Sequence, residues 1–487
     1  MTKTVVAAFS AGAVTNSAPE RALKVDFPIA ATAEAVKATS SETGARGLAW
    51  GGLLRLVWGS HVLGLVDQVV VSATSFLALV MIGRWTEPEQ LGAYALGFSI
   101  VALLLAVQDS LITRPYSIQL HHALGTPAEH AFSSLALSLM LSAATAIVLS
   151  ATAVVFSAFS AHRELVDVTW ALAAAIPFVL TREFARRFAF AHLKMCHALT
   201  VDVAASALTI TVLGALGFAG HVSAAAALVA MGVSCAIVTA AWLYLARSDF
   251  AFRTHHIRAA AQRSWAIGKW FLSGQLALQA QGYVTPWLAM LIAGATVTGV
   301  YTACASIVAF ANPFLYGFFN VLTPKSVRAL NSEGVAGLRR QAARDSLLLA
   351  AVMTTFCAVI FFVGDDVMRL LYPGAEYNGH AHVLAMLAVA ALAAAIGAPA
   401  SIALAAAERA RALAGVMTVT AILNLVLVWA LLPRWGLLGA AYGMLTAEVV
   451  GSVGRWITFL TLVSETKGFA ERRQRLVSAQ ASASQKE

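Results

Sequence analysis

The chain has 487 residues, of which 59% are hydrophobic and 12% charged, with a net charge of +9 and a mean hydropathy of +0.76. A soluble globule needs a polar exterior that this composition does not supply. Apolar runs of about 20 residues without strand-like alternation exclude an outer-membrane barrel and predict an all-α polytopic membrane protein.

Residues 1–60 are richer in Ser, Thr and Glu and read as a disordered cytoplasmic leader. The mildly apolar stretch from Val5 to Val14 is too rich in Ala and Ser for a signal-peptide core. Hydropathy and turn signals then predict about twelve spans in two sets of six. The first set lies near 62–83, 91–112, 131–158, 167–181, 200–219 and 223–246. The second lies near 268–293, 297–320, 345–364, 382–404, 413–432 and 438–462. The expected organisation is an N-lobe over 61–246, a cytoplasmic linker over 247–267, a C-lobe over 268–462 and a cytoplasmic tail over 463–487.

Basic residues concentrate in alternate connections. Arg182, Arg186, Arg187 and Lys194 fall on one side, with Arg247 to Arg263, Lys325 to Arg344, Arg409, Arg411 and the Arg472-Arg473 tail. The other side holds little beyond Arg84, Arg163, Arg369 and Arg434. The positive-inside rule places both termini in the cytoplasm of a bacterial inner membrane protein, and explains the net charge without nucleic acid. The cysteines Cys196, Cys235, Cys304 and Cys357 are scattered, show no metal spacing and are expected to be buried small hydrophobes.

One phrase is written twice. Gly92-Ala93-Tyr94-Ala95-Leu96-Gly97-Phe98-Ser99-Ile100-Val101-Ala102 returns as Gly299-Val300-Tyr301-Thr302-Ala303-Cys304-Ala305-Ser306-Ile307-Val308-Ala309, with Pro115 and Pro324 further along. A duplicated helical bundle suits alternating access around a central path, although chance likeness between Ala-rich helices is the competing reading.

Nothing in the sequence matches a P-loop, HExxH or GxSxG pattern, so a non-enzymatic protein without cofactor or metal is expected. The informative residues are polar groups within spans, which usually face a bundle interior or a wet cavity. Asp67, Asp109 and Asp202 are candidates for ion coupling, or else sit cheaply at the interface. Gln275 and Gln279, spaced i, i+4, share a helix face with access to a polar ligand or to a neighbouring helix. Asn312, Asn320, Asn424, Glu448 and Arg455 complete the polar set. Arg182, Arg186 and Arg187, after the fourth span, offer forks suited to phosphate oxygens, with lipid anchoring as the alternative. Arg114, Lys269 and Lys325 stand at comparable span ends.

Leu65-Val66-Asp67-Gln68, Gln90-Leu91-Gly92-Ala93-Tyr94, Arg182-Glu183-Phe184-Ala185-Arg186-Arg187 and Arg434-Trp435-Gly436-Leu437-Leu438-Gly439-Ala440-Ala441 resemble bacterial polysaccharide-biosynthesis flippases. These belong to the multidrug/oligosaccharidyl-lipid/polysaccharide (MOP) exporter superfamily. The resemblance implies two pseudo-symmetric six-helix lobes around a V-shaped cavity. It also implies movement of an undecaprenyl-pyrophosphate-linked oligosaccharide between leaflets for exopolysaccharide or O-antigen assembly, alongside polysaccharide polymerase and export machinery. Arg114, Arg182, Arg186, Arg187, Lys269, Gln275 and Gln279 would then meet the headgroup. Unlike several such flippases, the second span and its counterpart from Tyr301 to Leu322 hold no basic residue at mid-span, so capture is expected at the cytoplasmic rim. A cation-coupled multidrug exporter of the same fold is the alternative. A membrane polymerase or ligase would want a large outer loop, and the connections here are short.

Overall fold

The structure is a computed structural model that describes residues 60–120, 125–159 and 163–484. All of the expected leader but Ser60 thus lies outside the described residues, as do His121 and His122. The described residues are helical, with no strand among them.

Helix α1 (Ser60–Trp85) is followed by α2 (Pro88–Gln108), which opens on a proline at its first turn, where no backbone N–H is needed. A π-helical turn (Asp109–Thr113) carries α2 into the short α3 (Arg114–Gln119), where Pro115 again takes a first-turn position. Then come α4 (Pro127–Phe159), α5 (Arg163–Ala191), α6 (Met195–Phe218) and α7 (Ala224–Leu245). The second half holds α8 (Ile257–Ala309), α9 (Asn312–Leu371), α10 (Ala381–Ala406) and α11 (Ala410–Ser484).

Ten of these runs are long and apolar enough to cross a bilayer. Three of them, α8, α9 and α11, are broken by Gly294, Gly334 and Gly436, whose positive φ values of 89°, 66° and 57° only glycine adopts without strain. Split at those breaks, and with the end of α8 continuing through Phe310 and Ala311, whose backbone angles are helical, into the start of α9, the described helices make about twelve crossings, as the hydropathy pattern predicts.

Two boundaries differ from expectation. The fourth crossing does not end near residue 181 but continues to Ala191, so Arg182, Arg186 and Arg187 stand on a membrane helix rather than in a connection. Likewise α8 starts at Ile257, inside the segment expected to be linker, which shortens the connection to 246–256. On α5 the arginines lower the hydropathy, but carboxylates on neighbouring helices compensate their charge; at the start of α8, Arg258 and Arg263 lower it too and stand exposed.

The repeated phrase lies where α2 and α8 cross. A Cβ on Gly92 would come within 2.9 Å of the Gly299 nitrogen, and one on Gly299 within 2.9 Å of the Pro88 Cα. Each copy thus supplies the glycine that lets the other helix approach. The serines seven residues further on, Ser99 and Ser306, are both buried, and each donates back to the carbonyl three residues earlier, at 2.6 and 2.7 Å. Around them one hydrophobic core runs through both halves and includes Tyr94, Leu172, Leu228, Tyr301, Leu384 and Tyr372. Tyr372, just past the end of α9, shares a 2.7 Å hydrogen bond with Ser306. Burial pushes its phenol above the usual range, so it stays protonated.

Further links close the same end of the molecule. Gln90 donates to Glu164 at 2.9 Å and accepts the Ala224 backbone N–H at the start of α7 at 2.8 Å. Thr296 donates to Glu89 at 2.8 Å, and Arg84 donates to the Leu370 carbonyl at 3.0 Å. The opposite, basic end carries the arginine-rich connections. Cys235 and Cys304 are buried and Cys357 half-buried, as expected, but Cys196 at the start of α6 is exposed.

Candidate functional site

A cavity of about 370 Å³ opens between α1, α2, α5, α6, α7 and α8. Its walls are mixed: Tyr94, Phe98, Val101 and Met231 are apolar, while Gln68, Thr74, Ser75, Ser206 and Thr209 are polar. At the basic end it meets Asp109, Arg182, Glu183, Arg186 and Arg187, and from the second half α8 contributes Gln275 and Gln279. The i, i+4 spacing on α8 turns both amides toward the first half.

The charged floor is built on α5, whose one-turn spacing aligns Arg182 with Arg186. Arg186 is only 12% exposed at its side chain and bridges two helices. Its Nη2 donates to Asp67 Oδ2 on α1 at 2.6 Å, and its Nε reaches Asp202 Oδ2 on α6 at 2.5 Å. Its Nη1 meets Glu183 at 3.3 Å, and its plane lies 5.1 Å from the Phe190 ring. Arg182 pairs with the other Asp202 oxygen and with Glu183 Oε2 at 3.6 Å.

Arg187 differs: its Nε donates to Glu183 at 2.8 Å, but its side chain is 41% exposed. Its Nη1 lies 3.8 Å from Asp109, whose other oxygen takes a 2.7 Å bond from Arg114. The Arg114 guanidinium also lies 4.9 Å from the ring of Phe271 on α8, a cation–π contact between the halves.

The three aspartates singled out in the sequence are therefore not scattered interface groups. Asp67, Asp109 and Asp202 each hold an arginine, and with Glu183 they form a network of four carboxylates and four guanidiniums. Fully ionised, the network is neutral, so an anionic headgroup gains most where an arginine is weakly held. Arg187 and Arg114 meet that condition; Arg182 and Arg186 are each buried against two or more carboxylates, although the buried Nε of Arg182 makes no hydrogen bond. Asp67 Oδ1 is buried and makes no hydrogen bond.

Of the residues expected at the headgroup, Arg182, Arg186, Arg187, Gln275 and Gln279 line this cavity. Arg114 adjoins it through Asp109. Lys269 stands apart: it is exposed, 5.4 Å from the Trp270 ring, and is not among the lining residues. Sequence reasoning missed Tyr94, Phe98 and the Thr74-Ser75 wall. The tyrosine lies in the repeated phrase, but its direction into a cavity leaves no spacing signature.

The second half has a sparser counterpart. Arg455 on α11 is buried and donates to Glu448 at 3.4 Å, and Glu448 also accepts from Gln281 at 3.0 Å. Asn424 donates to Thr285 at 3.3 Å. A separate cavity of about 400 Å³ there is lined by Arg455 with Asn312, Tyr316, Phe319 and Ser401.

A family model described as "Polysaccharide biosynthesis protein" matches residues 59–330, more than half of the chain. No curated protein matches the chain. Among solved structures, an inward-facing multidrug resistance MATE family transporter of the MOP superfamily is 17% identical with a TM-score of 0.68, covering 83% of this chain and 99% of that one. An outward-facing transporter of the same description is 16% identical with a TM-score of 0.60, covering 88% and 100%. A MOP superfamily transporter from Pyrococcus furiosus, described by a reversed polarity of its binding pocket, gives 16%, 0.60, 88% and 100%. The fold is that of MOP-superfamily transporters.

Proposed function

The chain belongs to the polysaccharide biosynthesis protein family, and on that premise we propose that it carries undecaprenyl-pyrophosphate-linked oligosaccharide across the bacterial inner membrane. The basic end faces the cytoplasm, with both termini, and the cargo moves from the cytoplasmic to the periplasmic leaflet for exopolysaccharide or O-antigen assembly.

One observation carries this reading: a single cavity joins an arginine-lined floor to amide, hydroxyl and aromatic walls drawn from both halves. Pyrophosphate oxygens suit the guanidinium forks of Arg187 and Arg114, while Gln275, Gln279 and Tyr94 suit sugar hydroxyls and ring faces. Arg182 and Arg186 act behind them, holding α1, α5 and α6 together and supplying positive potential. The apolar prenyl tail needs no protein shield, because it stays in hydrocarbon while the headgroup crosses.

Capture displaces Asp109 from Arg187 or Arg114, and an incoming cation or proton at the Asp67–Asp202 pair would rebalance the network. That couples transport to an ion gradient through Asp67, Asp109 and Asp202. The seal at the α2–α8 crossing, and the higher TM-score to the inward-facing transporter, support a resting state open at the basic end.

In proteoliposomes with a fluorescent polyprenyl-pyrophosphate oligosaccharide, the wild-type protein should expose the sugar to an external glycosidase from both leaflets. Arg187→Ala should slow that exposure severely. A rate equal to protein-free vesicles would refute lipid-linked transport. A cation-coupled multidrug exporter is the second reading, favoured by the buried free oxygen of Asp67; dye export by the same vesicles, with no sugar exposure, would select it.

A further inference from the structure

One cluster of ligating side chains takes no part in the cavity. The connection between α7 and α8 folds back onto the start of α4, where the Ala251 N–H donates to the Ala128 carbonyl at 3.1 Å. Phe250 anchors it, packing 5.3 Å from the Phe188 ring and 5.7 Å from that of Trp242. This docking carries His255 and His256, at the threshold of α8, against Glu129 in the first turn of α4.

One ligating atom from each of Glu129, His255 and His256 lies within 4.8 Å of the other two. Glu129 is buried and its carboxylate is fixed in direction. Oε2 accepts the Thr126 backbone N–H at 3.2 Å and lies 3.7 Å from His256 Nε2. Oε1 meets Arg253 Nη1 at 3.1 Å. The loop reaches this close because Gly125 adopts φ +79°; a Cβ there would sit 3.1 Å from His256 Nε2.

We propose that Glu129, His255 and His256 form a binding site for a divalent transition metal of the zinc type. Two imidazole nitrogens and one carboxylate oxygen are a donor set that suits zinc and leaves a fourth position for water. Metal–ligand bonds of about 2.0–2.1 Å in a tetrahedron put neighbouring ligand atoms roughly 3.4 Å apart. The 3.7 Å between Glu129 and His256 therefore needs to close by only a few tenths of an ångström. Arg253, 68% exposed on the far oxygen, orients the carboxylate from outside without filling the site.

The first turns of α4 and α8 turn their positive ends toward the cluster and oppose a cation, so the site is exchangeable rather than permanently filled. Its place gives the metal a consequence: it would pin the connection between the halves to the first half and restrain their relative motion. The alternative is a plain ion-paired staple between Glu129, Arg253 and a protonated His256.

Zinc titration of the full-length, detergent-purified protein, carrying no polyhistidine tag, separates the two. The wild type is expected to bind one more zinc ion per chain than His255→Ala with His256→Ala. Glu129→Gln should weaken that ion by more than about tenfold, and His256→Cys, which exchanges one zinc ligand for another, should retain it. Cobalt in place of zinc should give the wild type a tetrahedral visible spectrum that the double variant lacks. Equal uptake by wild type and a monodisperse double variant would overturn the proposal, as would a wild type whose cobalt spectrum matches that variant's.

Discussion

Ser99 and Ser306 hold the same place in the repeated phrase and the same geometry, yet they serve different neighbours. Ser99 accepts the indole N–H of Trp287 on α8 at 2.9 Å, whereas Ser306 meets the Tyr372 hydroxyl. The same divergence holds across the two halves. The duplicated glycines and buried tyrosines keep the helix crossing, while the charged groups do not repeat. The first half concentrates four arginines and four carboxylates under one cavity; among the described residues of the second half, the buried ion pair is Arg455–Glu448, with Arg455 lining another cavity. Duplicated packing and unduplicated chemistry suit a carrier whose halves must fit each other while only one grips the charged part of the cargo.

The largest effect should come from Arg186→Met, which strands the buried Asp67 carboxylate and leaves Asp202 with Arg182 alone, and is expected to cost about 3–5 kcal/mol. Thermal unfolding in detergent would register it, and adding Asp202→Asn should restore part of the loss. Gly92→Ala and Gly299→Ala each force backbone apart at the α2–α8 crossing and should cost about 1–3 kcal/mol. Near-equal shifts would sharpen the symmetry of the crossing, and a shift in only one would break it. Arg455→Met should cost about 1–3 kcal/mol, because Glu448 keeps its Gln281 donor. A loss as large as that of Arg186→Met would erase the contrast between the halves. Arg187→Ala should change stability by less than about 1 kcal/mol, since the side chain is partly in solvent, while transport falls sharply.

Much of the fold was legible because hydropathy reports membrane crossings directly. It failed where the chemistry sits. Arg182 to Arg187 looked like the end of a span because an arginine reads the same at a rim as in a compensated cluster. Asp67 and Asp202 stood out individually, yet nothing in 135 residues of separation says that both meet Arg186. Gln275 and Gln279 were legible as a face, since i, i+4 spacing fixes mutual direction but not what the face meets. Lys269 shows the opposite error: a span-end lysine has the right charge but stands exposed, away from the cavity lining. The His255-His256 pair drew no notice in a basic stretch, because its carboxylate partner lies 126 positions earlier.

The most direct measurement is the leaflet location of lipid-linked repeat units in a deletion strain, read by a membrane-impermeant glycosidase on spheroplasts. The account predicts units trapped in the cytoplasmic leaflet, released by the wild-type protein and not by Arg187→Ala at equal abundance. Units reaching the periplasmic leaflet without the protein would contradict it.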